Sequence, residues 1–190
     1  MKLRNTAIAI MLAAGMCNTA QAQLVINEIM QSNIDCVMDD INEFPDSWVE
    51  LYNAGSEEVN LSHYSINDKD NTETAWILPS RIVKPREYVM VYCDKDEKGL
   101  HTPFRLESGK GCAVYLYYNN TLADKIEDLK KQPAPNIAYG RKTDGAADWG
   151  YQAQPTPGKT NCGKTLKDVL GEPVFSKKGC VMERILHKPV

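Results

Sequence analysis

The chain has 190 residues, of which 43% are hydrophobic and 25% are charged, and its formal net charge at pH 7 is −3. This length and composition fit one globular domain with flanking segments. Residues 23–129 carry 20 acidic and 9 basic side chains, so this part of the protein should repel nucleic acid and anionic surfaces.

Residues 1–22 have the features of a secretory signal peptide. Lys2 and Arg4 give a positive start, and residues 6–16 form an apolar run that contains several small residues. Ala20-Gln21-Ala22 then matches the small-x-small pattern that signal peptidase cleaves. We therefore predict cleavage after Ala22 and a secreted protein, located in the periplasm or at the cell surface. No later stretch approaches the roughly 20 apolar residues of a transmembrane helix.

The six cysteines bear on the redox state and on metal binding. Cys17 lies in the signal peptide, and Met16 before it disfavours a lipid anchor, because lipid attachment needs a small residue there. An exported protein meets an oxidising compartment, so we expect one or two disulfides among the other five, with a pairing that the sequence leaves open. The cysteines show no C-x-x-C spacing and have no histidine nearby in the sequence, so we predict no zinc site and no cofactor. These five are Cys36, Cys93, Cys112, Cys162 and Cys180.

Strand patterns dominate the mature chain, and helical periodicity is weak. Residues 48–52 alternate, so Val49 and Leu51 should share one face while Glu50 lies on the other with its aromatic neighbours. Asn119 and Asn120 predict the turn of a hairpin. The predicted strands are, in chain order, residues 24–30, 48–52, 64–66, 75–78, 88–92, 112–118, 121–126 and 137–139.

Many short strands without intervening amphipathic helices predict an all-β, antiparallel β-sandwich. The two prolines and the glycine of residues 155–158 end the strand pattern, because they cannot continue a central strand. We therefore assign residues 23–162 to the domain. Residues 163–190 form a basic tail, or a truncated linker to a missing domain.

An ordered series of motifs resembles bacterial lamin-tail domains. It begins with V-I-N-E-I-M at residues 25–30 and S-W-V-E-L-Y-N at residues 47–53, where the family often has D-W-I-E-L-Y-N. The further motifs are residues 59–68, W-I-L-P at 76–79, residues 85–92, Gly140-Arg141, Asp144-Gly145, Trp149, P-T-P-G at 155–158, and Asn161. The resemblance implies an immunoglobulin-like β-sandwich that serves as a non-catalytic module.

Lamin-tail domains of this kind are often joined to enzymes, including CotH-like kinases. Residues 173–179 resemble the segment that follows the domain in CotH-containing proteins, after which the chain departs from that pattern. We therefore expect the chain to be the N-terminal piece of a longer multidomain protein.

Residues 158–165 match the phosphate-loop pattern G-x-x-x-x-G-K-[ST] to the letter. That chemistry needs a buried strand before the loop and a helix after it. Residues 152–157 cannot form a central strand, and residues 166–170 allow barely one helical turn, so we reject nucleotide binding.

Structural roles explain the other polar groups best. The D-x-D runs at residues 68–71 and 94–97 indicate surface turns rather than metal sites. Asn27, Glu28 and Glu50 lie inside strands, and the two carboxylates could form an acid/base pair. Alternation instead favours an outer face or a structural hydrogen bond for Glu50, and we expect Glu28 to anchor a neighbouring backbone segment.

The remaining groups indicate no catalytic site. The three histidines, His63, His101 and His187, are isolated from one another. An aromatic platform for glycans or peptides could form from Trp48, Trp76, Trp149 and the tyrosines of residues 115–118, although aromatic residues at strand spacing more often pack in a core.

We therefore predict a non-catalytic binding or adaptor module with no catalytic, cofactor or metal site and no nucleic-acid partner. Its partner would be an envelope or extracellular protein or a glycan, and an appended domain is a further expectation. Two alternatives stay open, namely a structural spacer for an appended enzyme and a hydrolase that acts on an extracellular polymer.

Overall fold

A computed structural model of the chain describes residues 23–170. The predicted signal peptide and residues 171–190 of the predicted tail, which include Cys180 and His187, lie outside the described residues. Among residues 23–170, no helix is long and apolar enough to cross a membrane.

The described chain is built almost entirely of short strands. A 3₁₀-helix at Leu61–His63 and a single-turn helix α1 at Leu166–Leu170 complete it. The strands are β1 (Leu24–Met30), β2 (Trp48–Asn53), β3 (Val59–Asn60), β4 (Tyr64–Asn67), β5 (Trp76–Ile77), β6 (Ile82–Val83), β7 (Tyr88–Tyr92), β8 (Cys112–Tyr118), β9 (Thr121–Leu129), β10 (Tyr139–Arg141) and β11 (Trp149–Tyr151).

All eight predicted strands are present, although some of their ends differ. Strand β9 continues to Leu129, and β10 starts at Tyr139 rather than at residue 137. The strand pattern does not predict β3, β6 and β11. Two of these have only two residues, and β11 has a glycine at its centre.

Two antiparallel sheets form the sandwich. One has five strands in the order β11-β10-β1-β2-β7, and the other has four in the order β5-β4-β8-β9. Strands β3 and β6 pair separately. This arrangement confirms the predicted immunoglobulin-like, antiparallel β-sandwich.

The core lies between the two sheets and follows the two-residue alternation of their strands. Leu51 and Val91 come from the five-stranded sheet, and Ile66, Val114 and Leu116 come from the four-stranded sheet. All five side chains are fully buried. Burying a side chain of this size contributes about 1.5–3 kcal/mol, so this interface stabilises the domain.

A β-bulge in β1 sets the position of the polar residues on the outer face of the five-stranded sheet. The pairing of β1 with β2 shifts between Ile26 and Glu28, so Asn27 is the extra residue. As a result Ile26 and Ile29 both reach the core, although they are three positions apart. Asn27 and Glu28, which are consecutive, both turn toward the opposite face beside Glu50.

The turn between β8 and β9 is the Asn-Asn turn that the sequence predicts. Asn119 and Asn120 have φ angles of 46° and 63°. Both positive values are those of a type I′ hairpin turn, which asparagine tolerates better than most residues.

The four described cysteines are free thiols, so the expectation of disulfides among them is corrected. Cys93 is buried in the core just after β7, and Cys112 begins β8 in the other sheet. Cys36 and Cys162 are exposed on separate loops.

We expect an alkylating reagent to label Cys36 and Cys162 in the native protein and to leave Cys93 unmodified. The thiolate is the reactive form, and burial both excludes solvent from Cys93 and raises the pKa of its thiol. Peptide mapping by mass spectrometry, before and after unfolding in urea, checks this. Labelling of native Cys93 as fast as that of Cys36 would show that the core is open.

Candidate functional site

The two buried glutamates on the outer face of the five-stranded sheet hold the segment at residues 156–161, here called the closing segment. The Glu28 carboxylate accepts hydrogen bonds from the Thr156 amide at 3.2 Å and from the Thr156 hydroxyl at 3.1 Å. Glu50 Oε2 accepts from the Gly158 amide at 2.6 Å. Glu28 and Glu50 are therefore anchors of a neighbouring backbone segment, which is the structural role favoured for them.

Asn27 and Asp144 complete this polar cluster. Asn27 Nδ2 donates to Glu50 Oε1 and to Asp144 Oδ1, each at 3.0 Å. The Asn161 amide donates to the same Asp144 oxygen at 3.1 Å, and the Tyr88 hydroxyl donates to Asp144 Oδ2 at 2.6 Å. The cluster thus ties the closing segment to β1, β2 and β7.

Burial dominates the electrostatics of the cluster. It raises the pKa of Glu28 to about 7 and that of Glu50 to about 8, against the hydrogen bonds from Thr156, Asn27 and Gly158 that lower them. Both glutamates have no exposed surface. A polymer could reach these carboxyl groups only by displacing the closing segment, so the geometry gives no support to the hydrolase alternative.

The segment that matches the phosphate-loop pattern directs its amides at the protein itself. Besides the Gly158 and Asn161 contacts, the Thr165 amide donates to Asp168 Oδ2 at 2.8 Å. The helix that follows, α1, has only five residues. These backbone donors are already used by carboxylates of the chain.

The aromatic residues named as a platform lie in different places. Trp48 is fully buried in a small cluster with Met30 and Ala138. Trp149 stacks on Tyr139 at 5.6 Å and lies under the Arg141 guanidinium. These aromatic residues therefore do not form one platform, because alternation and burial disperse them.

Tyr118 is the exception among these aromatic residues, since it is 44% exposed. Its ring centroid lies 4.9 Å from that of Tyr64 and 6.2 Å from that of His63. Tyr118 is the last residue of β8, and His63 and Tyr64 join the 3₁₀-helix to β4. The three rings line one end of the sandwich, beside the β8–β9 turn.

These rings line part of a cleft with a volume of about 820 Å³, here called the aromatic cleft. It is lined by Gln23, Glu58, Val59, Asn60, His63, Tyr64, Ile82, Tyr118, Thr121, Leu122 and Ala123. The exposed Ile82 and Leu122 add apolar surface. Glu58 is the one acidic residue in this lining, which contains no lysine or arginine, so the cleft suits an uncharged ligand.

The sequence indicates the cleft only faintly. Tyr118 belongs to a predicted strand, whereas His63 looks isolated and Ile82 lies in a strand that the pattern does not predict. The available signal is the pair of apolar residues, Tyr118 and Leu122, that flank a predicted turn. Both residues are exposed beside that turn.

The second D-x-D run is not a simple surface turn. Asp94 is 9% exposed, and its Oδ2 lies 2.7 Å from Nδ1 of His101, which is 2% exposed. Asp40 Oδ1 lies 3.1 Å from Nε2 of the same imidazole. Burial acts to lower the pKa of His101, but the hydrogen bonds to Asp40 and Asp94 outweigh it and raise the pKa. The first D-x-D run also makes a structural contact, because Asp70 accepts from the Tyr117 hydroxyl at 3.0 Å.

The sequence model of the Lamin Tail Domain family matches residues 18–129, which is more than half of the chain. The matched residues include the aromatic cleft, Glu28 and Glu50. They also include His101 and its partners Asp40 and Asp94. Strands β10 and β11 lie beyond it but belong to the same five-stranded sheet as β1. A comparison with curated proteins finds no match.

Proposed function

The chain belongs to the lamin tail domain family, and on that premise we propose that it is an exported, non-catalytic binding module whose ligand-binding site is the aromatic cleft. The observation that carries the proposal is the exposed Tyr118 ring, set against Tyr64 and His63 in a concave surface. The volume of the cleft falls in the range of roughly 300–1,000 Å³ that small-molecule sites occupy.

The ligand that fits this lining best is a neutral glycan. The C–H faces of a sugar ring can pack on aromatic side chains, and its hydroxyl groups need amide, hydroxyl or carboxylate partners. Gln23, Asn60 and Thr121 offer such partners around the rings. A phosphorylated or sulfated ligand would need lysine or arginine, which the lining lacks.

Export is supported by the signal-peptide pattern and bears on the cleft. Cleavage after Ala22 would make Gln23 the first residue of the mature protein, and Gln23 lines the cleft. The new amino terminus would then lie at the rim of the site.

Retention of the mature protein on immobilised neutral oligosaccharides tests the proposal. We expect Tyr118→Ser and Leu122→Ser to weaken retention about tenfold, which corresponds to a loss of about 1.4 kcal/mol of binding free energy. Ile77→Ser is the matched control, because Ile77 is 67% exposed on edge strand β5 and does not line the cleft.

Equal retention of wild type and both cleft variants would show that the site lies elsewhere. The absence of retention on any glycan or envelope fraction would favour the spacer alternative.

A further inference from the structure

Three buried residues from two loops bring metal-ligating atoms together at a site separate from the aromatic cleft. Asp39 comes from the β1–β2 loop, and Asp94 and His101 come from the loop after β7. One carboxylate oxygen from each aspartate and one imidazole nitrogen all lie within 4.8 Å of one another. The three residues are at most 9% exposed.

Backbone hydrogen bonds fix the two carboxylates before any ligand binds. Asp39 Oδ1 accepts from the Ile41 amide at 2.9 Å and from the Glu43 amide at 2.8 Å. Asp94 Oδ1 accepts from the Asp96 amide at 3.2 Å. In Asp39 these hydrogen bonds engage only Oδ1. Asp94 Oδ2 lies 2.7 Å from His101 Nδ1, so a bound metal ion would take the place of the proton between these two atoms.

The imidazole is equally fixed. The Thr102 amide donates to the Tyr92 carbonyl, and the Tyr92 amide donates to the Leu100 carbonyl, each at 2.8 Å. These bonds hold the His101 backbone against β7, and the Tyr92 ring packs on the imidazole with centroids 4.9 Å apart. A site built this way keeps its geometry without a ligand, which favours binding.

The charge at this site is not balanced by lysine or arginine. Asp39, Asp94 and Asp40 surround one imidazole, and His101 makes the only ion pairs to these aspartates within residues 23–170. Arg105 bonds the Asp94 carbonyl and pairs with Asp46 instead. Lys98 lines the neighbouring cavity but makes no ion pair in the described part of the chain. A protonated His101 offsets only one of the two buried carboxylates, Asp39 and Asp94. A buried carboxylate without a cation is costly, so the remaining negative charge favours a cationic ligand.

We propose that Asp39, Asp94 and His101 bind one divalent transition-metal ion of the zinc class. Nδ1 of His101 and one oxygen from each aspartate supply three ligands, and a solvent molecule completes a tetrahedral shell. The Nε2–H group of His101 would then donate to Asp40. A metal-binding histidine commonly donates its second ring N–H to a carboxylate in this way. The imidazole ligand favours Zn²⁺ over Ca²⁺ or Mg²⁺, which prefer oxygen ligands alone.

A cavity of about 270 Å³ lined by Asp40, Ile41, Asp96, Lys98, Gly99 and His101 connects this site to solvent. A metal ion bound there would join the β1–β2 loop to the loop after β7.

The sequence does not indicate the site. Asp39 lies far along the chain from His101, and the three ligands together match no metal-binding motif.

Zinc titration of the tag-free mature protein, with its thiols alkylated, tests the proposal. We expect one Zn²⁺ per chain by calorimetry and by metal analysis after dialysis. His101→Gln and Asp39→Asn should weaken binding at least tenfold, and the amide oxygen of the Asp39→Asn side chain would still accept from the two backbone amides. Asp35→Asn is the matched control and should bind like wild type, because Asp35 is an exposed aspartate of the same β1–β2 loop. Circular dichroism shows that each variant is folded.

Alkylation removes the thiols as competing ligands, and Co²⁺ substitution verifies this, since a site without cysteine gives no sulfur-to-metal charge-transfer band. Zinc binding by wild type that is no tighter than binding by His101→Gln would overturn the proposal. Displacement of bound Zn²⁺ by an equal concentration of Ca²⁺ would overturn the assignment of the metal class. Neither outcome depends on whether the aromatic cleft binds a glycan.

Discussion

Replacing Arg141 by methionine is expected to lower the free energy of unfolding by about 3–5 kcal/mol. Arg141 lies on β10 and is 7% exposed. Its Nε donates to the Ile26 carbonyl at 2.7 Å, and one terminal nitrogen pairs with Asp124 Oδ2 at 2.8 Å. The same Asp124 oxygen accepts from the Ile26 amide at 2.8 Å. Arg141 therefore links β10, β1 and β9, which belong to both sheets.

The cost arises mainly because the variant removes buried hydrogen bonds of Arg141 and leaves the partly buried Asp124 carboxylate without its cation. Arg81→Met is the matched control. Arg81 pairs with Glu87 at the same 2.8 Å, but both side chains are about one-third exposed or more. Such a surface pair is worth about 0–1 kcal/mol.

Urea unfolding followed by circular dichroism measures both variants. Arg141→Met/Asp124→Asn should recover part of the loss, because the amide is neutral and keeps an oxygen for the Ile26 amide. A loss in Arg141→Met no larger than that in Arg81→Met would mean that the two sheets are not linked through this pair.

Raising the pH from about 5 to about 8.5 is expected to destabilise the protein by about 3 kcal/mol or more, because Glu28 and Glu50 are buried. Their pKa values of about 7 and about 8 lie above the ordinary value of 4.5. The folded state therefore binds protons more tightly than the unfolded state. This stability is fully present below about pH 4.5 and is lost as the pH rises through 7 and 8. A pKa near 7 rather than 4.5 corresponds to about 3 kcal/mol for one group, and the two shifts do not simply add, since the groups are coupled.

Glu50→Gln separates this effect from other titrations, including that of His101, whose raised pKa acts in the same direction. Glutamine is neutral at every pH, so the variant should lose less stability than wild type between pH 5 and pH 8.5. It should be less stable than wild type at pH 5, because its NH2 group cannot accept one of the two hydrogen bonds that Glu50 accepts. Glu127→Gln, on β9, is the control and should keep the wild-type slope above pH 5, because Glu127 is exposed and its hydrogen bond with Lys125 lowers its pKa. Parallel pH profiles for wild type and Glu50→Gln would show that Glu50 is ionised throughout.

The strand pattern predicts the sandwich because alternation and turn residues are local. Val49 and Leu51 reach the core, and Asn119 and Asn120 turn the hairpin, as their sequence neighbours alone indicate. The bulge at Asn27 is different. Its extra residue is visible only once β1 is aligned with β2, and regular alternation from Ile26 would have placed Glu28 on the core face.

The sites are less predictable than the fold because their residues meet only through long-range pairing. Glu50 looks like an outer-face residue until the closing segment covers it. Asp94 looks like a turn residue and His101 looks isolated until the β1–β2 loop brings Asp39 beside them. The dispersed aromatic residues show the opposite case, in which a plausible sequence cluster is divided between the core and separate surfaces.

Binding without conversion is the central claim, and recovery of the ligand tests it most directly. The mature protein would be titrated with the best-retained oligosaccharide, and the sugar would be analysed by mass spectrometry after prolonged incubation. We predict saturable binding that Tyr118→Ser weakens, with the oligosaccharide recovered at its original mass. Cleaved products that disappear in Glu28→Gln or Glu50→Gln would contradict the claim and identify a hydrolase.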